Sequence, residues 1–283
     1  MNQKCNEERK IIDLHMHSTK SDGNLRPDEL VKVASQKGIS VISITDHDSI
    51  EGIKIAVETG KTCGIEVIPG IELSVNGEMI LHILGYFIDI YDKTLINVLE
   101  QIRRLKAFFW VKAIKFISDS GVAIDTKTII SSEIKTLKQL KKYLLEKEDI
   151  CLNEEIQIAF KDITNLWKQQ LLTSEKCISL IHECGGIAFL AHPSLVSGDD
   201  EYVRRVIIEL KSKGLDGIEV IHPCHTIEEI AKYENMSHEL NLLCSGGSDF
   251  HGTDMSQTYE VPYEYYENLK LFVNQKYYNV DQL

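Results

Sequence analysis

A chain of 283 residues and 32.2 kDa has room for one large α/β domain carrying an insertion. Its hydrophobic content of 43% and charged content of 26% are those of a globular protein with a sizeable core. The formal charge of -12 argues against a coat for duplex nucleic acid and against an anionic-membrane binder, but bound cations would still admit a phosphorylated ligand.

In chain order, IIDLH (11–15) reads as a strand, and PDELVKVASQKG (27–38) opens on Pro and closes on Gly as a helix does. VISITD (41–46) is a second strand, 51–63 a helix closed by Gly64, and EVIPGIELS (66–74) and EMILHILGYFI (78–88) are further strands. This rhythm predicts a parallel α/β architecture. A long helical pattern covers 92–121, and the Lys- and Glu-rich stretch 122–172 predicts a small helical insertion. Alternation then returns with a helix at 174–184, strand GIAFLAHP (186–193), a helix at 200–213, strand DGIEVIHP (216–223), a helix at 226–240 and strand LLCSGGSDFH (242–251). The Tyr-rich tail is expected against the outside of the sheet. The 7 cysteines form no C-x-x-C pair, the opening MNQKCNEERK is polar, and no apolar run reaches membrane-spanning length. These features predict a soluble cytoplasmic protein with reduced thiols.

The chemistry-bearing residues recur at strand ends. His15 and His17 end the first strand, Asp46 and His47 the second; Glu72, His192, and Asp249 with His251 follow later apolar runs, while His82 lies within its own strand. Carboxyl ends of parallel strands converge on one face, and residues i and i+2 of a strand point to the same side. A set of His and carboxylate without thiolate suits Zn, Mn or Fe, and more than four ligands implies two or three divalent ions able to clamp a phosphoryl group. A buried structural histidine is the alternative for any one of these positions. Asp46 reads equally as a helix cap or as a carboxylate orienting a ligand. Phe109 and Trp110 continue an apolar helical stripe and read as core, and His182 and His238 as structural or exposed.

The stretches DLHMHSTKSDG, SITDHDSIEG, VIPGIELS, LHILGY, IAFLAHP, DGIEVIHPCH and GGSDFHG together resemble the PHP (polymerase and histidinol phosphatase) family. The resemblance is to its stand-alone phosphoesterases, similar to nucleoside 3′,5′-bisphosphate phosphatases and 5′-3′ exoribonucleases. It implies a distorted (β/α)7 barrel with a small helical insertion: 1–100 as the first part of the barrel, 101–173 as a substrate cap, and 174–283 as the second part with the tail. It also implies that His15, His17, Glu72 and Asp249 hold one ion, that Glu72 bridges to a second held by His82 and His192, and that Asp22, His47 and His251 hold a third. A hydroxide bridging two ions would attack phosphorus, with Asp46 orienting a ligand. His225 matches a position that in similar enzymes faces the substrate phosphate, for contact or leaving-group protonation. Its alternative is a loop histidine without function, and His222 is a weaker candidate of the same kind. Ser194 reads as a phosphate contact or a turn residue, and Arg103 and Arg104 as phosphate contacts or a solvated helix face.

One departure matters. The Gly-Arg-Pro-His-like motif of such enzymes is missing from ISSEIKTLKQLKKYLLEKED, where Lys138, Lys141 and Lys142 are the available cations. The expected function is a metal-dependent phosphoesterase acting on a phosphorylated metabolite or on a nucleotide or oligonucleotide end. A histidinol-phosphate phosphatase and a non-catalytic metal-binding module are the alternatives.

Overall fold

The computed structural model describes residues 10–76, 81–119, 140, 154–252 and 260–278; Lys138, Lys141, Lys142 and most of the expected insertion lie outside them. The near-continuous apolar run of β1 (Ile11–Met16) is buried from Ile12 onward, as a strand covered on both faces requires. β2 (Ile39–Ile44), β3 (Glu66–Ser74), β4 (His82–Tyr86), β5 (Ile187–Leu190), β6 (Gly217–Ile221) and β7 (Leu243–Gly246) complete one seven-stranded sheet whose spatial order follows the chain. Outside it lie α1 (Pro27–Gln36), α2 (Ile53–Cys63), α5 (Ser174–Glu183), α6 (Asp200–Ser212), α7 (Ile227–Leu240) and α8 (Tyr263–Tyr278), while α3 (Lys93–Asp119) and α4 (Glu154–Lys168) form an arm over one end. Pro27 with Asp28 and Glu29 opens α1, and Gly64 at φ 71 ends α2 in the left-handed conformation that glycine adopts without strain.

The sheet curls until the chain following β7 meets β1. Met16 bridges Phe250, and the His17 amide donates to the Phe250 carbonyl at 2.9 Å. Gly247 sits at the seam: a Cβ there would lie 2.4 Å from the His15 nitrogen, so only glycine permits this approach. The expected Tyr-rich tail is α8, which packs Tyr266, Leu269 and Val273 against β1 and β7.

One expectation is corrected. The sheet is not all parallel, because β4 runs antiparallel to both β3 and β5. Seven residues (75–81) join β3 to β4, too few for the crossover that parallel neighbours need. His82 is therefore the first residue of β4, and the strand's reversal brings that end to the face where its neighbours finish. α3 runs without a break from Lys93 to Asp119.

Asp216, at the start of β6, ties three elements together. It accepts hydrogen bonds from the Ala188 amide (2.8 Å), His182 Nε2 (2.7 Å) and Lys276 Nζ (2.7 Å). Burial favours its neutral form, but these three donors hold the carboxyl below the usual carboxylate range. A depressed folded-state pKa contributes stability above the unfolded value, and this is lost as pH falls through the folded one. Urea unfolding at neutral pH should show Asp216→Asn less stable than wild type by roughly 1–3 kcal/mol, with the gap closing below about pH 4.

Candidate metal centre

Glu72, 1% exposed near the end of β3, is the hub of the site. Its Oε2 lies 3.3 Å from His15 Nε2, 3.2 Å from His17 Nε2 and 3.1 Å from His47 Nδ1. Its Oε1 lies 2.8 Å from His82 Nδ1 and 3.1 Å from His192 Nε2. Asp249, at φ 48 after β7, brings Oδ1 to 3.0 Å from His17 Nε2 and 3.4 Å from His15 Nε2. Asp22 Oδ1 stands 3.4 Å from His251 Nε2 and 3.7 Å from His17 Nδ1. The imidazoles touch in sequence: His251–His17 at 4.3 Å between ring centres, His17–His47 at 4.7 Å, His47–His82 at 4.8 Å and His82–His192 at 5.1 Å. All nine residues expected to ligate metal thus converge on one place.

Several ring orientations are fixed from behind. His15 Nδ1 donates to Glu219 Oε1 at 2.8 Å, leaving Nε2 to face Glu72 and Asp249. His251 Nδ1 donates to the Asp249 carbonyl at 2.7 Å, leaving Nε2 toward Asp22. Each thereby turns its Nε2 toward the centre.

The electrostatics are those of a crowded, dry cluster. Burial opposes the charge on Glu72, but His47, His82 and His15 hold its carboxyl well below the usual range. Against burial, Asp249 is held low by His15, His17 and His222, and Asp22 by His251, His47 and His17. His15 is raised despite burial by Glu219, Glu72 and Asp249, and His17 is raised to about 10 by Asp249 and Glu72. Burial with neighbouring His17 and His82 pushes His47 down to about 3, overcoming the attraction of Glu72. Permanent carboxylate charge thus coexists with an imidazole that stays neutral, which is the donor state a cation requires.

The residues fit divalent cations on two observations. Among the described residues, buried His17 Nε2, Asp22 Oδ1 and His47 Nδ1 have no hydrogen-bond partner, so polar atoms point into a shared centre unsatisfied. Four groupings place their donor atoms within 4.8 Å of one another: His17, Asp22, His47 and His251; His15, His17 and Asp249; His15, Glu219 and His222; His47, Glu72 and His82. Imidazole with carboxylate and no thiolate suits a catalytic divalent ion.

The other candidates separate. Asp46 accepts from the Ser18 amide, Ser18 Oγ and Ser21 Oγ, each at 2.7 Å, so it shapes the turn that delivers Asp22; α2 is capped by Gly52 instead. His225 is buried, donates Nδ1 to the Val220 carbonyl at 2.7 Å, and leaves Nε2 without a partner; Ser194 Oγ is likewise buried and unpaired. Arg104 is 73% exposed and paired with Glu100, outside the cluster.

An open cleft of about 880 Å³ begins at Asp22, His47 and His82 and runs to Phe109, Trp110 and Trp167 on α3 and α4, with Lys20, Lys54, Arg103 and Lys106 along it. Phe109, expected as core, is buried there with one side toward the cleft, while Trp110, also expected as core, is only half-buried and lines it. An apolar helical stripe looks the same in sequence whether protein or ligand covers it.

Three supporting acids, Glu219, Asp13 and Asp48, carry no signal in the spacing of the sequence. Glu219, fully buried in β6, joins His15 to the His192 amide (2.7 Å). Asp13 in β1 accepts from the Ser248 amide (2.9 Å) and its hydroxyl (2.5 Å), fixing the loop that carries Asp249. Asp48, at φ 51, accepts from the Ser74 amide (2.9 Å) and hydroxyl (3.0 Å) and pairs with Lys106 Nζ at 2.8 Å, linking α3 to the His47 loop. A lone acid inside an apolar strand, as in GIEVI, was the available signal.

The PHP domain model matches residues 13–251. A 5′-3′ exoribonuclease from Haemophilus influenzae is 33% identical over 254 residues, covering 86% of this chain and 90% of its own. A phosphoribosyl 1,2-cyclic phosphate 1,2-diphosphodiesterase from Eggerthella lenta is 28% identical, over 86% of this chain and 94% of its own. Among solved structures, an amidohydrolase from Chromobacterium violaceum with bound sulfate and no metal superposes with a TM-score of 0.73 at 25% identity, covering 88% of this chain and 90% of its own. The chain belongs to the PHP family, and its reaction class is phosphoester hydrolysis.

Removing charge behind His15 should weaken the site without touching its inner residues. Glu219→Gln is expected to lower divalent-metal affinity roughly 10- to 100-fold, measured by competition with a chromogenic chelator. An unchanged affinity would make Glu219 a packing residue only.

Proposed function

We propose that the ester hydrolysed by this enzyme is a phosphate at the end of a nucleotide or oligonucleotide, and that the nine His, Asp and Glu residues hold two or three divalent ions of Mn, Fe or Zn. The observation that carries this reading is the continuity of the histidine–carboxylate cluster with a cleft of about 880 Å³ walled by aromatic and basic side chains. That volume suits a ligand of nucleotide size, well beyond a free phosphate or a small amino-alcohol phosphate. When bound, the ions supply Lewis acidity and a nucleophile at neutral pH.

The protein's own residues have separable tasks. Glu72 sets the spacing between the two halves of the donor set, and Asp46 holds the turn that aims Asp22. His225, its Nδ1 fixed by Val220, exchanges a proton with the substrate through Nε2; burial pushes its pKa down, so neutral imidazole is the resting form. Ser194 Oγ donates to a phosphoryl oxygen. We assign the arginine contact to Arg103, which lines the cleft beside Glu51, over Arg104, which lies outside it against Glu100. Segment 101–173 acts as the substrate cap, since α3 and α4 supply the far wall. Five cysteines are free among the described residues, and no described helix is long and apolar enough to cross a membrane. The free thiols support a reducing cytoplasmic location.

Metal-stripped protein reloaded with Mn²⁺, Fe²⁺ or Zn²⁺ tests the proposal against a panel of phosphate esters. The account expects phosphate release from a nucleoside 3′,5′-bisphosphate or a 5′-phosphorylated oligoribonucleotide, lost on chelation and abolished by His15→Ala. Turnover of histidinol phosphate or of a phosphoribosyl cyclic phosphate in preference to either nucleotide substrate would overturn the substrate assignment. Metal-loaded protein inert toward every ester would instead indicate a non-catalytic module.

A further inference from the structure

We propose that Trp110 and Trp167 form a stacking subsite for the nucleobase next to the scissile phosphate. The inference deepens the nucleotide reading above and rests on it. The chain has 2 tryptophans, and both line the same cleft although they come from different helices, Trp110 from α3 and Trp167 from α4. Both are only half-buried, Trp167 with one side against the core, whereas Phe109 beside them is 6% exposed and lies between the two helices. Phe109 meets Trp167 edge-on, with ring centres 5.8 Å apart and planes at 66°, so it steadies the indole without stacking on it. Among the described residues no ring stacks parallel on either indole, and the cleft itself is what faces them.

The surroundings select an aromatic ligand that is also anionic. Lys20, Lys54, Arg103 and Lys106 line the same space together with Asp48, Glu51 and Glu100, as do His47 and His82 of the metal centre. Lys20 and Arg103 share Glu51 and Lys106 pairs with Asp48, so a phosphate would join existing ion pairs, whereas a sugar phosphate without a base would leave the indoles uncovered. A nucleotide satisfies both, with its phosphate at the histidines and its base on the tryptophans. Stacking of a base on an aromatic side chain tolerates any base, because each has a π-face, and favours the larger purines.

Because both indoles lie in the cleft, intrinsic tryptophan fluorescence reads its occupancy directly. Metal-stripped full-length protein is titrated with AMP, CMP and ribose 5-phosphate. The proposal expects saturable quenching by AMP, weaker quenching by CMP and none by ribose 5-phosphate. In the metal-loaded enzyme, Trp110→Ala or Trp167→Ala should lower the preference for a nucleotide over ribose 5-phosphate roughly 5- to 100-fold, through KM, with the Phe variants restoring most of it. Equal quenching by AMP and ribose 5-phosphate, or Ala variants that leave the preference unchanged, would overturn the subsite. The two readings fail separately. Base-dependent quenching in a protein that hydrolyses no nucleotide retains the subsite and removes the substrate assignment, whereas nucleotide hydrolysis with base-independent quenching does the reverse.

Discussion

A single buried carboxylate organises the molecule. Glu72 lies within 2.8–3.3 Å of five imidazoles, those of His15, His17, His47, His82 and His192. An isolated ionised carboxylate in such a place would cost several kcal/mol. It is tolerated only where polar partners surround it, and no neighbouring pair of strands could supply five histidines. The curled sheet does so by bringing the finishing ends of β1, β2 and β5 and the starting end of β4 around β3. The shape of the sheet and the charge at its mouth are one constraint.

A set of buried acids keeps that arrangement in place without entering the centre. Glu219 holds His15 and the backbone of His192; Asp13 holds Ser248 ahead of Asp249; Asp46 holds the turn ahead of Asp22; Asp48 joins His47, Ser74 and Lys106. Each fixes the backbone or ring that carries an inner residue, so the donor geometry is set before any ligand arrives. Such preorganisation is what positions charge for a transition state. Through Lys106 the same network reaches α3, and with it the aromatic wall of the cleft.

Much of this was legible in the sequence, for particular reasons. His15, His17, His47, Glu72, Asp249 and His251 stand where apolar runs end, and strand ends converge in α/β folds, so their meeting could be read without coordinates. The direction of β4 was not inferred, because it depends on the length of a connection and not on the strand itself; His82 consequently looked like a mid-strand residue. Glu219 and Asp13 sit alone in apolar strands, with no spacing partner to mark them. Arg103 and Arg104 are adjacent, and only the phase of α3 determines which one faces the cleft. Trp110 shows the limit of hydrophobic periodicity, which identifies a face needing cover but not what covers it, whereas Phe109 beside it is core as its stripe implies.

The central claim is that Glu72 joins the halves of a multi-ion centre. Elemental analysis of wild type and Glu72→Gln, each reloaded with Mn²⁺ and freed of loosely held metal, tests it most directly, with circular dichroism showing that both are folded. The account predicts at least two ions per wild-type chain and the loss of more than one of them in Glu72→Gln. A variant with wild-type stoichiometry, or a wild type holding fewer than two ions, would contradict it.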